Sequence, residues 1–420
     1  MNILEVLQQE WAIRALFASI MVGIMCGILG CFIVLRNMAL IGDALSHAVL
    51  PGVVVAFMFA GMNPLGFFIG SVAAGLFSAV VITWIQQNVK TKNDAAIGIV
   101  FTAMFSLGVM GISWISHKQG VHLDLKDFLF GNVLGVGDED LWLTAAVTLT
   151  VIGAVIVFYR YLFVTTFQSI IAQTMGISVK TVHYLLMLML SFAVVASLQT
   201  VGVILVVAML ITPASTALLL SDRLPRVLVI AALVGLTSAV FGFFAAVALD
   251  STPGPAMAVV ATIIYGITVL FSPRKGLVFN YLRKKKMQQK IELEDTLKQA
   301  MKLNEVQNLT FDNLAAQLGF DKNVLTKNLQ LLQNQGFIQK KDGEIVLNTE
   351  GLAIATRLVR AHRLWESYLA TKVGLTQEQV HDEAERFEHF MTDDLLEEID
   401  EKLGYPEFDP HGEPIPRMNG

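Results

Sequence analysis

The chain is 420 residues long and 54% hydrophobic, with a mean hydropathy of +0.60 and a formal net charge of −5. Those averages conceal two unlike parts: residues 1–282 hold 23 Asp, Glu, Lys and Arg, whereas residues 291–420 hold 37, of which 24 are acidic and 13 basic. The first part has too little polar surface to be water-soluble, and the second, at −11 with histidine neutral, excludes a strong electrostatic grip on nucleic acid.

The start, MNILEVLQQEW, carries acids where a removable signal needs cations, and the apolar run after it is long enough to span, so no signal peptide is expected. About nine spans are expected: 12–35, 39–61, 64–86, 95–116, 140–159, 182–199, 201–221, 226–249 and 254–272. The apolar block 183–221 is divided near Gln199–Gly202, because 39 residues are too many for one crossing. Arg36, Lys90 with Lys92, Arg160 with Lys180, Arg223 with Arg226, and Arg274 with Lys275 fall at alternate ends. That places the amino terminus outside and the carboxy terminus in the cytoplasm. A count of eight spans leaves the cytoplasmic end of the last one in place. Cys26 and Cys31, five residues apart on one helix, point in different directions and are expected to pack unbridged.

Ionisable residues inside a membrane are costly and usually functional. Asp43 and His47, within IGDALSHAVLPG, are four apart and stack on one helical face. A carboxylate with an imidazole suits a borderline divalent ion such as manganese, zinc or ferrous iron. Pro51 would free the His47 carbonyl, and Gly52 would let the helix bend. The rival reading is an Asp cap and a structural His. The pair alone leaves both open, and two ligands do not complete a site. His117, Lys118, His122, Asp124 and Asp127 are expected in an outer loop, 117–139, as an amphipathic segment on the membrane surface. Asp250 opens the turn DSTPGP, and Pro213 is expected to kink its helix. No GxxxxGK[ST] loop occurs in the sequence, so an ATP-driven process would need an engine in another subunit.

The segment IVLRNMALIGDALSHAVLPGVVVAF resembles the permease family of ABC importers for manganese, zinc and iron, as do VGVILVVAMLITPASTALLL and FGNVLGV. The resemblance covers most of residues 10–275. It implies a membrane core of two permease chains, identical or different. An extracellular or periplasmic metal-binding protein would load it, and cytoplasmic ATPase subunits would drive it. Asp43 and His47 match the family's pore ligands. The loop 160–182 is similar to the family's ATPase-coupling helix, with Phe167, Gln168, Ala172 and Gly176 as its marked positions. Ala172 and Gly176 match the pattern, whereas Gln168 and Ser169 stand where an Asp-Pro pair is usual.

A basic linker, 283–290, opens with Arg283-Lys284-Lys285-Lys286. Residues 291–350 then read as a winged helix: a helix over Phe311–Leu318, a turn at Gly319-Phe320-Asp321, and a second helix over Asn323–Asn334. FIQKKDGEIVLN follows as a hairpin with Asp342-Gly343 at its tip. The second helix offers only Lys322 and Lys327 as cations, so protein contact or dimerisation is favoured over DNA. Residues 351–420 are expected to form an amphipathic stretch over 351–371 and one acidic helix from about 376 to 402. On that helix His381, Glu385, Glu388 and His389 would form one stripe, beside a second pair, His362 and Glu366.

AHRLWESYL, VHDEAERFEH and DPHGEPIP resemble the diphtheria-toxin-repressor family of metal-dependent regulators, across about 291–415. The resemblance implies one site at His362, Glu366 and His381 and another at Glu385, Glu388 and His389 with Asp295. Glu385 is similar to the manganese-responsive branch. Lys298 departs from that branch, which has a carboxylate there.

The expected fold is therefore an all-α polytopic membrane bundle followed by a soluble winged-helix (α+β) domain with a helical metal-binding and dimerisation extension. The expected function is the permease subunit of an ABC importer in the cell membrane, itself no enzyme. Its cargo is a divalent transition metal, manganese first, and its cytoplasmic domain senses metal. The rivals are a membrane-tethered metal-responsive transcriptional regulator and a secondary transporter that runs without ATP.

Overall fold

A computed structural model describes residues 8–61, 64–89, 92–119, 135–306, 309–341 and 344–417. The chain divides into two compact units, Met1–Asn280 and Tyr281–Gly420. Lys90, His122, Asp124, Asp127 and most of FGNVLGV lie outside the described residues, as does the hairpin tip Asp342-Gly343.

The first unit is helical: α1 (Glu10–Leu35), α2 (Leu40–Ala48), α3 (Leu50–Ala60), α4 (Pro64–Asn88), α5 (Asn93–Gln119), α6 (Asp138–Val157), α7 (Tyr159–Phe167), α8 (Ser169–Thr174), α9 (Val179–Leu220), α10 (Leu224–Ala248) and α11 (Pro253–Phe271). Among the described residues, nine segments are long and apolar enough to cross a membrane. One combines α2 and α3, and α9 supplies two, Val179–Leu198 and Thr200–Leu220. Gly202 (φ 79°, ψ 168°) is the non-helical residue within α9. The expected division there holds, because glycine adopts that backbone without a Cβ clash. Pro213 lies inside the second half of this helix. Helix α5 runs on to Gln119, which puts His117 on its last turn rather than in a loop.

Helix α1 is the buried centre of this unit and packs against α9 and α10. The close approach comes from glycine: a Cβ at Gly23 would lie 2.6 Å from the Gly235 carbonyl oxygen, and one at Gly27 would lie 2.7 Å from that of Ala231. Small residues four apart let membrane helices meet backbone to backbone, where dispersion rather than water exclusion holds them. Cys26 and Cys31 are free and buried in this seam. Large apolar side chains such as Phe59, Leu149 and Leu249 are exposed on the unit's outside, as lipid contact requires.

The second unit contains α12 (Leu277–Val306) from Tyr281 onward, α13 (Phe311–Leu318), α14 (Lys322–Asn334), β1 (Ile338–Lys341), β2 (Glu344–Leu347), α15 (Thr349–Tyr368), α16 (Gln377–Phe387) and α17 (Asp393–Leu403). Thr310 caps α13 by accepting from the Asn313 N–H, Gly319 ends it in the left-handed region, and Asp321 caps α14. The strands pair antiparallel, Ile338 opposite Leu347 and Lys341 opposite Glu344. Leu314, Leu325, Leu329, Ile338 and Ile345 close the core of this winged helix. A separate core joins Leu364, Leu396, Ile399 and Ile415.

The single acidic helix expected over 376–402 is two helices. Helix α16 stops at Phe387, Glu388–Phe390 form a tighter 3₁₀ turn, Met391 is extended (ψ 132°), and Thr392 caps α17 by accepting from the Leu395 N–H. The expected stripe is broken by that turn, and its members part company.

Candidate metal centres

In the membrane unit, Nε2 of His47 lies 3.6 Å from Oδ1 of Asp43, one turn earlier on α2. The imidazole packs against Phe101 and Phe105, with ring centroids 5.4 and 5.3 Å away. Its side chain is 17% exposed, whereas that of Asp43 is 46% exposed. Ala39 holds the N-cap position of α2, so capping does not account for Asp43. The helix breaks at Val49, ahead of Pro51, and the Val49 N–H turns to the His47 carbonyl. The oxygen expected to be free there has a donor. Gly52 meets the Gly70 backbone across α3 and α4 and has no room for a side chain.

At another end of this unit, α7 and α8 form a bent pair. Gln168 (φ −142°, ψ 66°) separates them, Ala172 is fully buried, and Gly176 (φ 78°) ends the turn. Phe167, Ile170 and Met175 are exposed. Arg36, at the end of α1, donates to Thr166 Oγ1 at 3.1 Å and to Thr165 Oγ1 at 2.8 Å, which holds the pair to the bundle. Arg36 served only as a topology marker in the sequence. Its anchoring role depends on a contact some 130 residues away, which local pattern does not carry.

In the second unit the ligand types fall into two groups. His362 and Glu366 are one turn apart on α15, and His381 reaches them from α16. Glu366 Oε1 is 3.0 Å from His362 Nε2 and 2.9 Å from His381 Nδ1, and the two ring nitrogens are 3.2 Å apart. Burial opposes ionisation of Glu366, but hydrogen bonds to His362 and His381 outweigh it and bring its pKa down to about 2. His411 adds a further imidazole, with Nε2 3.9 Å from the same oxygen. The Asp409 carboxylate accepts the N–H groups of His411 and Glu413 at 2.9 and 2.8 Å, which shapes the loop presenting His411. His411 was absent from the expected ligands, although it sits within DPHGEPIP. Its own motif was the available signal.

Asp295 from α12 and Glu388 and His389 from the 3₁₀ turn form the other group. His389 Nε2 is 3.2 Å from Asp295 Oδ1 and 3.5 Å from Glu388 Oε1, and its Nδ1 is 2.7 Å from Glu294 Oε2. Burial disfavours the charged ring, but the hydrogen bonds to Asp295 and Glu294 outweigh it and raise its pKa to about 9. Glu385 lines an open cleft with Asp295 and His389 without joining the tight group. Lys298 sits with Nζ 2.7 Å from each oxygen of Glu388. Neither Glu294 nor Lys298 was expected as a direct partner.

Within each group one ligand atom per residue lies within 4.8 Å of the others. Carboxylate with imidazole suits a borderline divalent ion. The His362–Glu366–His381 group fits that description with His411 at its edge. The other group fits less well, because the Glu388 carboxylate is already paired with an ammonium.

A model of the "ABC 3 transport family" matches residues 8–272, and one of the "iron dependent repressor, metal binding and dimerisation domain" matches residues 348–417. A Halalkalibacterium halodurans protein named manganese transport system membrane protein MntC is 48% identical over 282 residues, 67% of this chain and 94% of that one. The Bacillus subtilis protein of the same name is 32% identical over 372 residues, 87% of this chain and 85% of its own length. A solved structure described as PsaBC from Streptococcus pneumoniae in complex with Fab matches with a TM-score of 0.60 and 37% identity, covering 68% of this chain and all of that one.

Proposed function

This chain belongs to the ABC 3 transport family, and on that premise we propose that it is the membrane permease subunit of an ATP-driven importer for a divalent transition metal, manganese ahead of zinc or iron. The observation that carries the reading is the Asp43–His47 pair on α2. A carboxylate left 46% exposed on a membrane helix is costly against lipid, so it belongs beside a polar path or under another chain. A second permease chain on that face would enclose a passage lined from both sides, and a doubly charged cation would offset the charge of Asp43. The manganese in the names of the relatives supports that choice of metal.

The bent pair α7–α8 docks on a cytoplasmic ATPase subunit. Exposed Phe167, Ile170 and Met175 supply the contact, Gln168 sets the bend, buried Ala172 anchors it and Gly176 ends it. An extracellular or periplasmic metal-binding protein delivers the ion. The run Arg283–Lys286 holds the second unit on the cytoplasmic side, in line with the positive-inside rule. Deleting the cognate ATPase gene is expected to collapse manganese uptake. Uptake that persisted would favour the secondary-transporter reading.

The second unit senses cytoplasmic manganese and throttles import when the ion is plentiful. His362, Glu366, His381 and His411 would hold the ion, with Asp295, Glu385, Glu388 and His389 beside them. Its supply of ions is the product of the transport step, which makes feedback a direct use of the site. Glu366→Ala and His381→Ala are expected to leave uptake running at high internal manganese. Feedback unchanged in both would remove the sensor from the reading.

A further inference from the structure

The ammonium of Lys298 is buried between the two donor groups. Its Nζ lies 2.7 Å from both oxygens of Glu388 and 3.5 Å from Nδ1 of His362. The Lys298 side chain is 5% exposed and that of Glu388 is fully buried. Glu388 is shared by the groups: its Oε2 is 2.6 Å from His362 Nδ1, and its Oε1 is 3.5 Å from His389 Nε2. A buried carboxylate needs a cation or several donors to offset its lost hydration. Here a side chain of α12 supplies that cation at the point where α15, the 3₁₀ turn and α12 converge.

We propose that Lys298 is a built-in counter-cation occupying the place where a metal ion bridging the two donor groups would sit. The inference rests on the metal-binding reading of this unit given above. The ammonium neutralises Glu388 and ties α12 to α15 and the 3₁₀ turn without metal. It also repels a divalent ion from the same carboxylate, because two cations a few ångströms apart in a buried site are strongly unfavourable. The unit therefore assembles before metal arrives. Its metal response belongs to the site of His362, Glu366 and His381 with His411 at its edge, one ion rather than a bridged pair.

The test counts manganese bound by the purified full chain in detergent, by equilibrium dialysis and elemental analysis. Wild type, Lys298→Glu and Lys298→Gln are compared; the membrane pair is common to all three, so only differences matter. Lys298→Glu is expected to bind one more ion per chain than wild type, and adding His389→Ala is expected to remove it. Hydrogen exchange across residues 385–392 under chelator supplies a second readout. Wild type is expected to stay protected, and Lys298→Gln to exchange at least about tenfold faster until manganese is added. An unchanged count in both Lys298 variants overturns the proposal, whatever the exchange shows. Should wild type and the variants lose no manganese when His381→Ala is introduced, the metal-binding reading itself is what fails.

Discussion

Oε1 of Glu366 lies 2.9 Å from Nδ1 of His381, fifteen positions further along the chain and on another helix. With His362 Nε2 at 3.0 Å from the same oxygen, three ligands converge from α15 and α16 on one point. Removing even an outer partner of a metal site typically costs 10–100-fold in affinity, so Glu366→Gln and His381→Ala are expected to weaken manganese binding by about 100-fold or more. Equilibrium dialysis of the purified chain checks this. Unaltered binding would place the ion elsewhere.

In the metal-free protein, His389 has a pKa of about 9 against an ordinary 6.5. A raised folded-state pKa means the folded state holds the proton more tightly. The resulting stabilisation is full below the unfolded value and is lost as pH rises through the folded one. Glu366 acts in the opposite sense: with a pKa of about 2 against an ordinary 4.5, its contribution is present above 4.5 and lost as pH falls through 2. Hydrogen exchange under chelator, corrected for intrinsic rates, is expected to report weaker protection of residues 385–392 at about pH 9.5 than at about pH 6. His389→Gln is expected to abolish that difference.

Gly23 and Gly235 touch through their backbones where α1 crosses α10. A side chain at either forces the helices apart, so Gly23→Leu is expected to destabilise the bundle by roughly 3 kcal/mol or more, the upper end of the overpacking range. Gly98, whose Cβ would meet open space, is the control, and Gly98→Ala is expected to be neutral. Thermal unfolding in detergent compares the two.

Ile170 is 77% exposed and Met175 66% exposed on the short arm that Arg36 fastens to the bundle. If that arm meets a partner through apolar contact, Ile170→Asp and Met175→Asp abolish manganese uptake while leaving the chain inserted. Co-purification of the ATPase with each variant separates lost docking from lost chemistry.

The membrane architecture was legible because lipid leaves a chain few choices: apolar runs must be helices, and a block of twice the needed length must break. Gly202 marked where. The winged helix was legible from the turn Gly319-Phe320-Asp321 between its two helices and from the hairpin sequence FIQKKDGEIVLN. The break at Glu388 was not read, since nothing between Gln377 and Leu403 is Gly or Pro. Thr392 followed by Asp393 and Asp394 was a helix start in plain sight, and it overrides the continuity of propensity. What local pattern could not carry was pairing at a distance. Lys298 and Glu388 are 90 positions apart, and the half-exposed carboxylate of Asp43 emerges only when the helices around it are packed.

The most direct measurement is manganese uptake by cells carrying Asp43→Ala or His47→Ala, with membrane insertion verified in parallel. Ligation along the transport path predicts that each variant inserts normally and retains less than about a tenth of wild-type uptake. Import close to wild type in both would mean that the carboxylate and the imidazole are structural and that the ion crosses by another route.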